Sequence, residues 1–306
     1  MGDLSHNGAT LRSRPTKMLR PSTAIRSALL LALTQMFAAP ATPVLSTIVF
    51  AQTNRQAVLQ TRGQLNPAQP VADLASVGAS HPAMVVPFGV GERMDYDVRV
   101  FGGKKGVGSM EVKEITDVRG KRAWHTVFHV KGKVLLLINV DIKLESWFDV
   151  ATMHSLRFHQ NQQYTGTKKI QNIEIFPERG MYKEDALEER VAVKDPLDDG
   201  SFLYFVRSVP LEVGKTYSFQ RYYKPDKNPV KITVLRRDTV KTPAGTFNTL
   251  VLRPEIKGGG LFAEGKALVW ITDDSARMVV KLESELPVGT LSLWLTKYKP
   301  GMPLKP

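Results

Sequence analysis

No cysteine occurs among the 306 residues. This excludes disulfides, thiolate metal sites and thiol nucleophiles. It also excludes the acylated cysteine of a bacterial lipoprotein. Long apolar runs are missing as well. The longest candidate starts at Ala28-Leu29-Leu30-Leu31-Ala32-Leu33, is interrupted by Thr34 and Gln35, and then meets Pro40 and Pro43. A membrane helix needs about 20 largely apolar residues, and proline breaks hydrogen bonds that lipid cannot replace. Catalytic signatures are equally scarce. There is no Gly-x-Ser-x-Gly elbow. Gly214-Lys215-Thr216 resembles the end of a phosphate loop, but Val209 stands where that loop needs its first glycine. Gly258-Gly259-Gly260 lacks the spacing of a dinucleotide fingerprint.

What the N-terminus does contain is an export signal. Lys17, Arg20 and Arg26 precede the broken apolar stretch, which ends at Val49-Phe50-Ala51 before polar Gln52. A basic start, an apolar centre and small residues at the cut point describe a cleaved secretory signal. Residues 1–51 are therefore expected to be removed, with Val49 and Ala51 read by the peptidase. Met18 begins a more ordinary signal and is the alternative start. The mature protein is then periplasmic or secreted, with no membrane span. The net charge is +13, and the leader supplies Arg12, Arg14, Lys17, Arg20 and Arg26 against Asp3, which leaves +9 on the mature chain. A basic exported protein can meet anionic headgroups or acidic polymers. Nucleic acid is not expected as a partner outside the cytoplasm.

Residues 52–86 are rich in Gln, Ala, Pro, Ser and Asn without a sustained period, and read as a flexible linker. A β-rich domain is expected over 87–300, followed by a tail at 301–306. Within it the period is two. Met94, Tyr96, Val98 and Val100 alternate with charged neighbours, as do Trp124, Thr126, Phe128 and Val130 with Ala123, His125, Val127 and His129. Such alternation marks half-buried antiparallel strands. Turn signals separate the runs at Gly102-Gly103, Arg119-Gly120, Arg179-Gly180, Pro243-Ala244-Gly245 and Asp273-Asp274. The expected fold is a curved antiparallel sheet or open β-barrel with one short helix packed on it. That helix is placed near Pro196–Val209. Asp195-Pro196-Leu197-Asp198 reads as its capped start, Phe202, Phe205, Val206 and Val209 as an apolar stripe, and Pro210 as its stop.

Titratable residues offer little chemistry. His125 and His129 share a strand face, but four residues along a strand span about 13 Å, too far for one metal. Glu283 and Glu285 lie about 7 Å apart on one face by the strand rise, so they could serve as acid and base or simply face solvent. Asp195, Asp198 and Asp199 suit helix capping better than calcium. Arg221-Tyr222-Tyr223-Lys224 with Lys227, Lys231, Arg236 and Arg237 is a basic, aromatic hairpin. Interleaved rings and cations suit sugars, headgroups or nucleic acid, and an ordinary strand pair with a charged outer face is the favoured reading. No metal, cofactor or catalytic residue is assigned.

Several phrases together resemble one family. They are Gly91-Glu92 before Tyr96 and Val98, Gly106-Val107-Gly108, Asp195-Pro196-Leu197, and Ser201 to Arg207. Further on come Pro210 to Tyr217, Thr242 to Phe247, Trp270 to Asp274, and Leu291 to Leu295. In this order and spacing they resemble the bacterial domain of unknown function 3108 family over about Phe88 to Lys299. The resemblance implies an exported, β-rich envelope domain with no established activity, and it supplies no catalytic residues. The stretch from Glu145 to Phe158 is also similar to one hairpin of periplasmic lipoprotein carriers.

The expected function is a non-catalytic binding module for a hydrophobic small molecule or lipid, or for an envelope protein. Phe202, Phe205 and Val206 on the helix, with Leu135, Leu137 and Phe262 from stretches (Val134 to Ile138, Leu261-Phe262) more apolar than alternation demands, are the candidate ligand-binding residues. A carboxylate-dependent hydrolase of envelope glycan and a purely structural envelope component are the alternatives.

Overall fold

The computed structural model describes residues 85–302, apart from 101, 135–137, 258–261, 263–264 and 287–288. The leader, most of the linker and the candidates Leu135 and Leu137 lie outside the described residues.

Alternating sequence becomes strand throughout. The first run is β1 (Arg93–Val100), β2 (Gly103–Val118), β3 (Lys121–Val134), β4 (Ile138–Asp149), β5 (Ser155–Tyr164), β6 (Thr167–Phe176), β7 (Met181–Glu184) and β8 (Arg190–Val191). After helix α1 (Phe202–Ser208) come β9 (Thr216–Phe219), β10 (Val230–Thr242), β11 (Gly245–Glu255), β12 (Ala267–Thr272), β13 (Val279–Leu286) and β14 (Gly289–Lys299). Each strand pairs antiparallel with its sequence neighbour, so the chain forms two meanders, β1–β8 and β9–β14. The meanders join where β1 pairs with β14, from Arg93↔Lys299 to Val100↔Leu291. The result is a 14-stranded sheet with β8 and β9 at its edges.

Those edges approach each other without forming a ladder. The Val193 amide donates to the Tyr223 carbonyl (3.3 Å), the Tyr223 amide to Leu197 (3.0 Å), and the Leu197 amide to Arg221 (2.5 Å). Leu197 and Tyr222 form a single parallel bridge. The sheet is thus curled into an open barrel, laddered on one side and stitched on the other.

The inward face follows the expected alternation. Met94, Tyr96, Val98 and Val100 are all buried, while their neighbours on β1 are half-exposed. Glycine permits the tightest crossing. Gly106 and Gly132 oppose each other across β2 and β3, and a Cβ on Gly106 would lie 2.3 Å from the Lys131 carbonyl oxygen.

The helix departs from expectation in extent and burial. It begins at Phe202, with Ser201 rather than Asp195 before its first turn. Pro196 is not its first residue, because Leu197 is committed to the bridge with Tyr222. Nor does it lay one stripe on the sheet: all seven of its residues are buried. Tyr204 packs on Phe88 and Phe148, Phe202 on Phe262, and Phe205 on Phe219, at ring-centre separations of 4.9, 5.8, 5.4 and 5.1 Å. The helix is a plug inside the barrel, surrounded by both meanders.

Candidate functional site

The core is incompletely filled beside α1. Met110, Phe128 and Leu144 are successive cross-strand neighbours on β2, β3 and β4, and with Thr126 they form one wall of a cavity. Leu203 and Tyr204 of α1, the Asp199-Gly200 turn and Phe262 form the rest. The free volume is about 20 Å³, which is room for roughly one water molecule. Walls of this kind are apolar with a few polar handles, as ligand cavities are. One handle is unsatisfied. Among the described residues the buried Tyr204 hydroxyl has no hydrogen-bond partner, and burial raises its pKa far enough to keep the proton in place. A buried donor left unpaired costs about 1–3 kcal/mol.

Of the candidates read from sequence, Phe262 lines this cavity and Phe202 touches the Phe262 ring. Phe205 and Val206 are buried but belong to other faces of the plug. Phe205 packs on Phe219, with the Arg221 guanidinium 4.5 Å from its ring centre. The cavity residues that sequence reasoning missed, Met110, Phe128 and Leu144, carry only the strand alternation as a signal.

The turn that feeds the helix is anchored by a buried carboxylate. Asp198 accepts the Ser146 hydroxyl at 2.7 Å and the amides of Gly200 (2.7 Å) and Ser201 (2.8 Å). Its own amide donates to Ser155 Oγ and Ser201 Oγ, both at 2.9 Å. Desolvation outweighs these bonds and raises the Asp198 pKa to about 6. Gly200 is required here, since a Cβ would come within 2.8 Å of the Ser146 Cβ.

The opposite end of α1 is fixed by an ion pair. Arg207 donates to both Glu92 oxygens at 2.8 and 2.7 Å and to the carbonyls of Arg277 and Ala276 at 2.9 and 3.0 Å. Both side chains are essentially inaccessible, at 0% and 1% exposure. Burial would disfavour the guanidinium charge, but Glu92 overrides it, and the Arg207 pKa is raised.

The stitched edge is polar and mostly buried. The Tyr222 hydroxyl donates to the Asp199 carboxylate at 3.2 and 3.3 Å. Lys224 pairs with Glu184 of β7 at 2.5 Å, and its ammonium lies 5.4 Å from the Tyr223 ring centre. Tyr222, Tyr223, Lys224 and Lys227 are all buried. The reading as a strand pair with a charged outer face is therefore corrected for Arg221 to Lys227, which help to seal the barrel, whereas Lys231, Arg236 and Arg237 on β10 are exposed as expected.

The remaining titratable residues are separate. His125 sits between Glu114 and Glu145, His129 meets Asp141, and His154 meets Asp195. Among the described residues no group of three His, Asp or Glu side chains is arranged to hold one metal ion. Glu283 pairs with Lys281 at 2.6 Å, and Glu285 is exposed, so neither reaches the cavity.

Comparison with known proteins places this architecture. The profile of a protein family of unknown function, DUF3108, matches residues 95–296. The chain belongs to the DUF3108 family. The DUF3108 match takes in α1, its anchoring turn and most of the cavity wall, while Glu92 falls just before it. No curated protein matches the chain. Among solved structures it is similar to a β-barrel-like protein of domain of unknown function DUF1849 from Brucella abortus. That likeness has 11% identity, covers 70% of this chain and 99% of that one, and has a TM-score of 0.46. A candidate lipoprotein from Parabacteroides distasonis is similar at 11% identity over 70% and 99% of the two chains, with a TM-score of 0.30. A candidate exported protein with a YmcC-like fold from Bacteroides fragilis is similar at 13% identity over 71% and 99%, with a TM-score of 0.26. These likenesses are too distant to carry an argument. DUF3108 membership brings no activity with it.

Proposed function

We propose that this DUF3108 protein is an exported, non-catalytic binding module of the cell envelope that holds a hydrophobic or lipid-like ligand beside α1. The cavity lined by Met110, Phe128, Leu144, Leu203 and Phe262 carries this reading. It is mostly apolar and is lined in part by Tyr204, whose buried hydroxyl has no partner among the described residues. A ligand with one polar group would satisfy Tyr204 while removing apolar surface from water, worth roughly 25 cal/mol per Å². In the present state the space admits one water-sized group, so a longer chain enters only as the Phe262 ring gives way. The basic leader and apolar stretch of the first 51 residues support export.

Native mass spectrometry of protein purified from an envelope extract tests this directly. The expected result is a bound species with the mass of a lipid or another amphiphile. An apolar fluorescent probe should bind the delipidated protein and be displaced by that species. Protein that carries no ligand and binds no apolar probe would refute the reading.

A further inference from the structure

The turns β1–β2, β3–β4 and β5–β6 lie at one end of the barrel, because successive strands run antiparallel. The register of β2 to β6 sets one outward row close to these turns. Val107 pairs with Lys131, Lys131 with Asp141, Asp141 with Gln163, and Gln163 with Lys168. Neighbouring strands lie about 4.8 Å apart, so Lys131 and Lys168 stand about 14 Å from each other. Nearer the turns, the Gly106–Gly132 pair brings Lys105 beside Lys133. Lys104 pairs across to Arg99 of β1.

Lys104, Lys105, Lys131, Lys133 and Lys168 are all exposed, so this lip is strongly basic. Its carboxylates are few and engaged. Asp97 pairs with Lys104 at 2.6 Å, and Asp141 with His129 and Lys131 at 2.7 and 3.6 Å. Among the described residues Lys105, Lys133 and Lys168 make no ion pair. The other end of the same strands is balanced: Arg119 pairs with Glu174, Lys121 with Glu178, and Arg179 with Glu189. Two apolar side chains stand among the unpaired lysines. Val107 is 55% exposed, and Ile170, two residues after Lys168, is 44% exposed. Like charges side by side on a ladder repel. A surface of lipid phosphates turns that repulsion into attraction, and apolar side chains among the cations leave water at the headgroup layer.

We propose that the β1–β6 lip docks on a bilayer surface rich in anionic phospholipid. Lys105, Lys133 and Lys168 supply the charge, and Val107 and Ile170 enter the headgroup layer. An acidic polymer would use the lysines but not the two apolar side chains. The lip is separate from the cavity, so failure of this proposal leaves the apolar-ligand reading untouched.

Sedimentation of the full mature chain with vesicles of phosphatidylcholine, alone or mixed with phosphatidylglycerol, tests it. The mixed vesicles should bind the protein and the pure ones should not, and binding should fall as salt rises. A lysine near an anionic surface is worth roughly five-fold in partitioning, so Lys105→Gln, Lys133→Gln and Lys168→Gln together should weaken binding about 100-fold. These side chains are exposed, and the thermal midpoint should stay close to wild type. Val107→Ser should weaken vesicle binding a few-fold and leave binding to polyaspartate unchanged. The same charge removed at the other end, from exposed Arg122, Arg190 and Lys194 by substitution with Gln, should have little effect. Equal losses from the two triple variants would overturn the lip, because net charge alone would then account for binding. Tighter binding to polyaspartate than to the mixed vesicles would overturn the lipid assignment in favour of an acidic polymer. Equal binding to both kinds of vesicle, or to neither, also overturns the proposal.

Discussion

The barrel is joined twice, and the two joins are built from different materials. Where β1 meets β14, pairing runs along the whole of β1 with one register shift between Asp95 and Tyr96, and the inward residues Tyr96, Val98, Leu293 and Leu295 are buried. Where the β8 and β9 ends meet, a few backbone bonds are supplemented by Glu184–Lys224 and Tyr222–Asp199. Backbone ladders over an apolar layer respond little to charge. A seam of desolvated side chains responds to salt, to pH and to any ion that enters. The helix between them is tied to both: Arg207 to Glu92 at the laddered side, and Phe205 to Phe219 of β9 at the stitched side. The molecule thus has a side closed by a backbone ladder and a side closed largely by charged and aromatic side chains.

The largest stability loss should come from the laddered side. Arg207→Ala leaves Glu92 buried without a counter-ion, and chemical denaturation should register a loss of about 3–5 kcal/mol. Replacing Glu92 and Arg207 together with apolar residues should cost clearly less than the two single changes summed. Phe205→Ala comes next. It opens a cavity against Phe219, and thermal or urea unfolding should show about 3–4 kcal/mol lost. A much smaller loss would mean that the plug is loosely held on the stitched side.

Lys224→Ala should cost about 1–2 kcal/mol, between the values for exposed and fully buried pairs. Raising salt should narrow the gap between this variant and wild type, whereas the Arg207→Ala gap should persist. A pH dependence is the last of these effects. The Asp198 pKa is raised from 3.8 to about 6 in the folded protein. The folded state therefore holds the proton more tightly, so this group's stabilisation is complete below the unfolded value. It is lost as pH rises from near 4 through about 6, at up to about 1.4 kcal/mol per pH unit. Asp198→Asn should reduce that slope to the part that Asp199, whose pKa burial also raises, contributes, and its carbonyl oxygen can still accept the Gly200 and Ser201 amides. A slope that survives the substitution unchanged would assign it to another group.

How much of this was legible in the sequence varies by element. The strands were, most clearly β1, where alternation alone decides which side chains face inward and Tyr96 is buried at 1% exposure, whereas on β3 Ala123 to Val127 are buried on both faces. The helix was legible as an element but not as a plug. Phe202, Phe205 and Val206 gave the apolar stripe, whereas Arg207 looks like an ordinary basic residue in a last turn. Its partner Glu92 is 115 positions away, and no local pattern links them. The two meanders were implicit in the turn signals, but the β1–β14 pairing that joins them is a long-range contact. The Arg221–Lys224 segment was misread for the same reason. Its composition suits a solvated face, and only closure of the barrel buries it. The cavity was half legible. Phe262 stood out, while Met110, Phe128 and Leu144 differ from any other inward residue only by what happens to face them.

Native-state hydrogen exchange on the mature protein tests the two-join account most directly. The amides of Val193, Leu197 and Tyr223 should open with a free energy at least about 2 kcal/mol below that of the β1 and β14 amides, which should exchange only through global unfolding. Equal protection at the two joins would contradict the account, because the stitched edge would then be as firmly closed as the ladder.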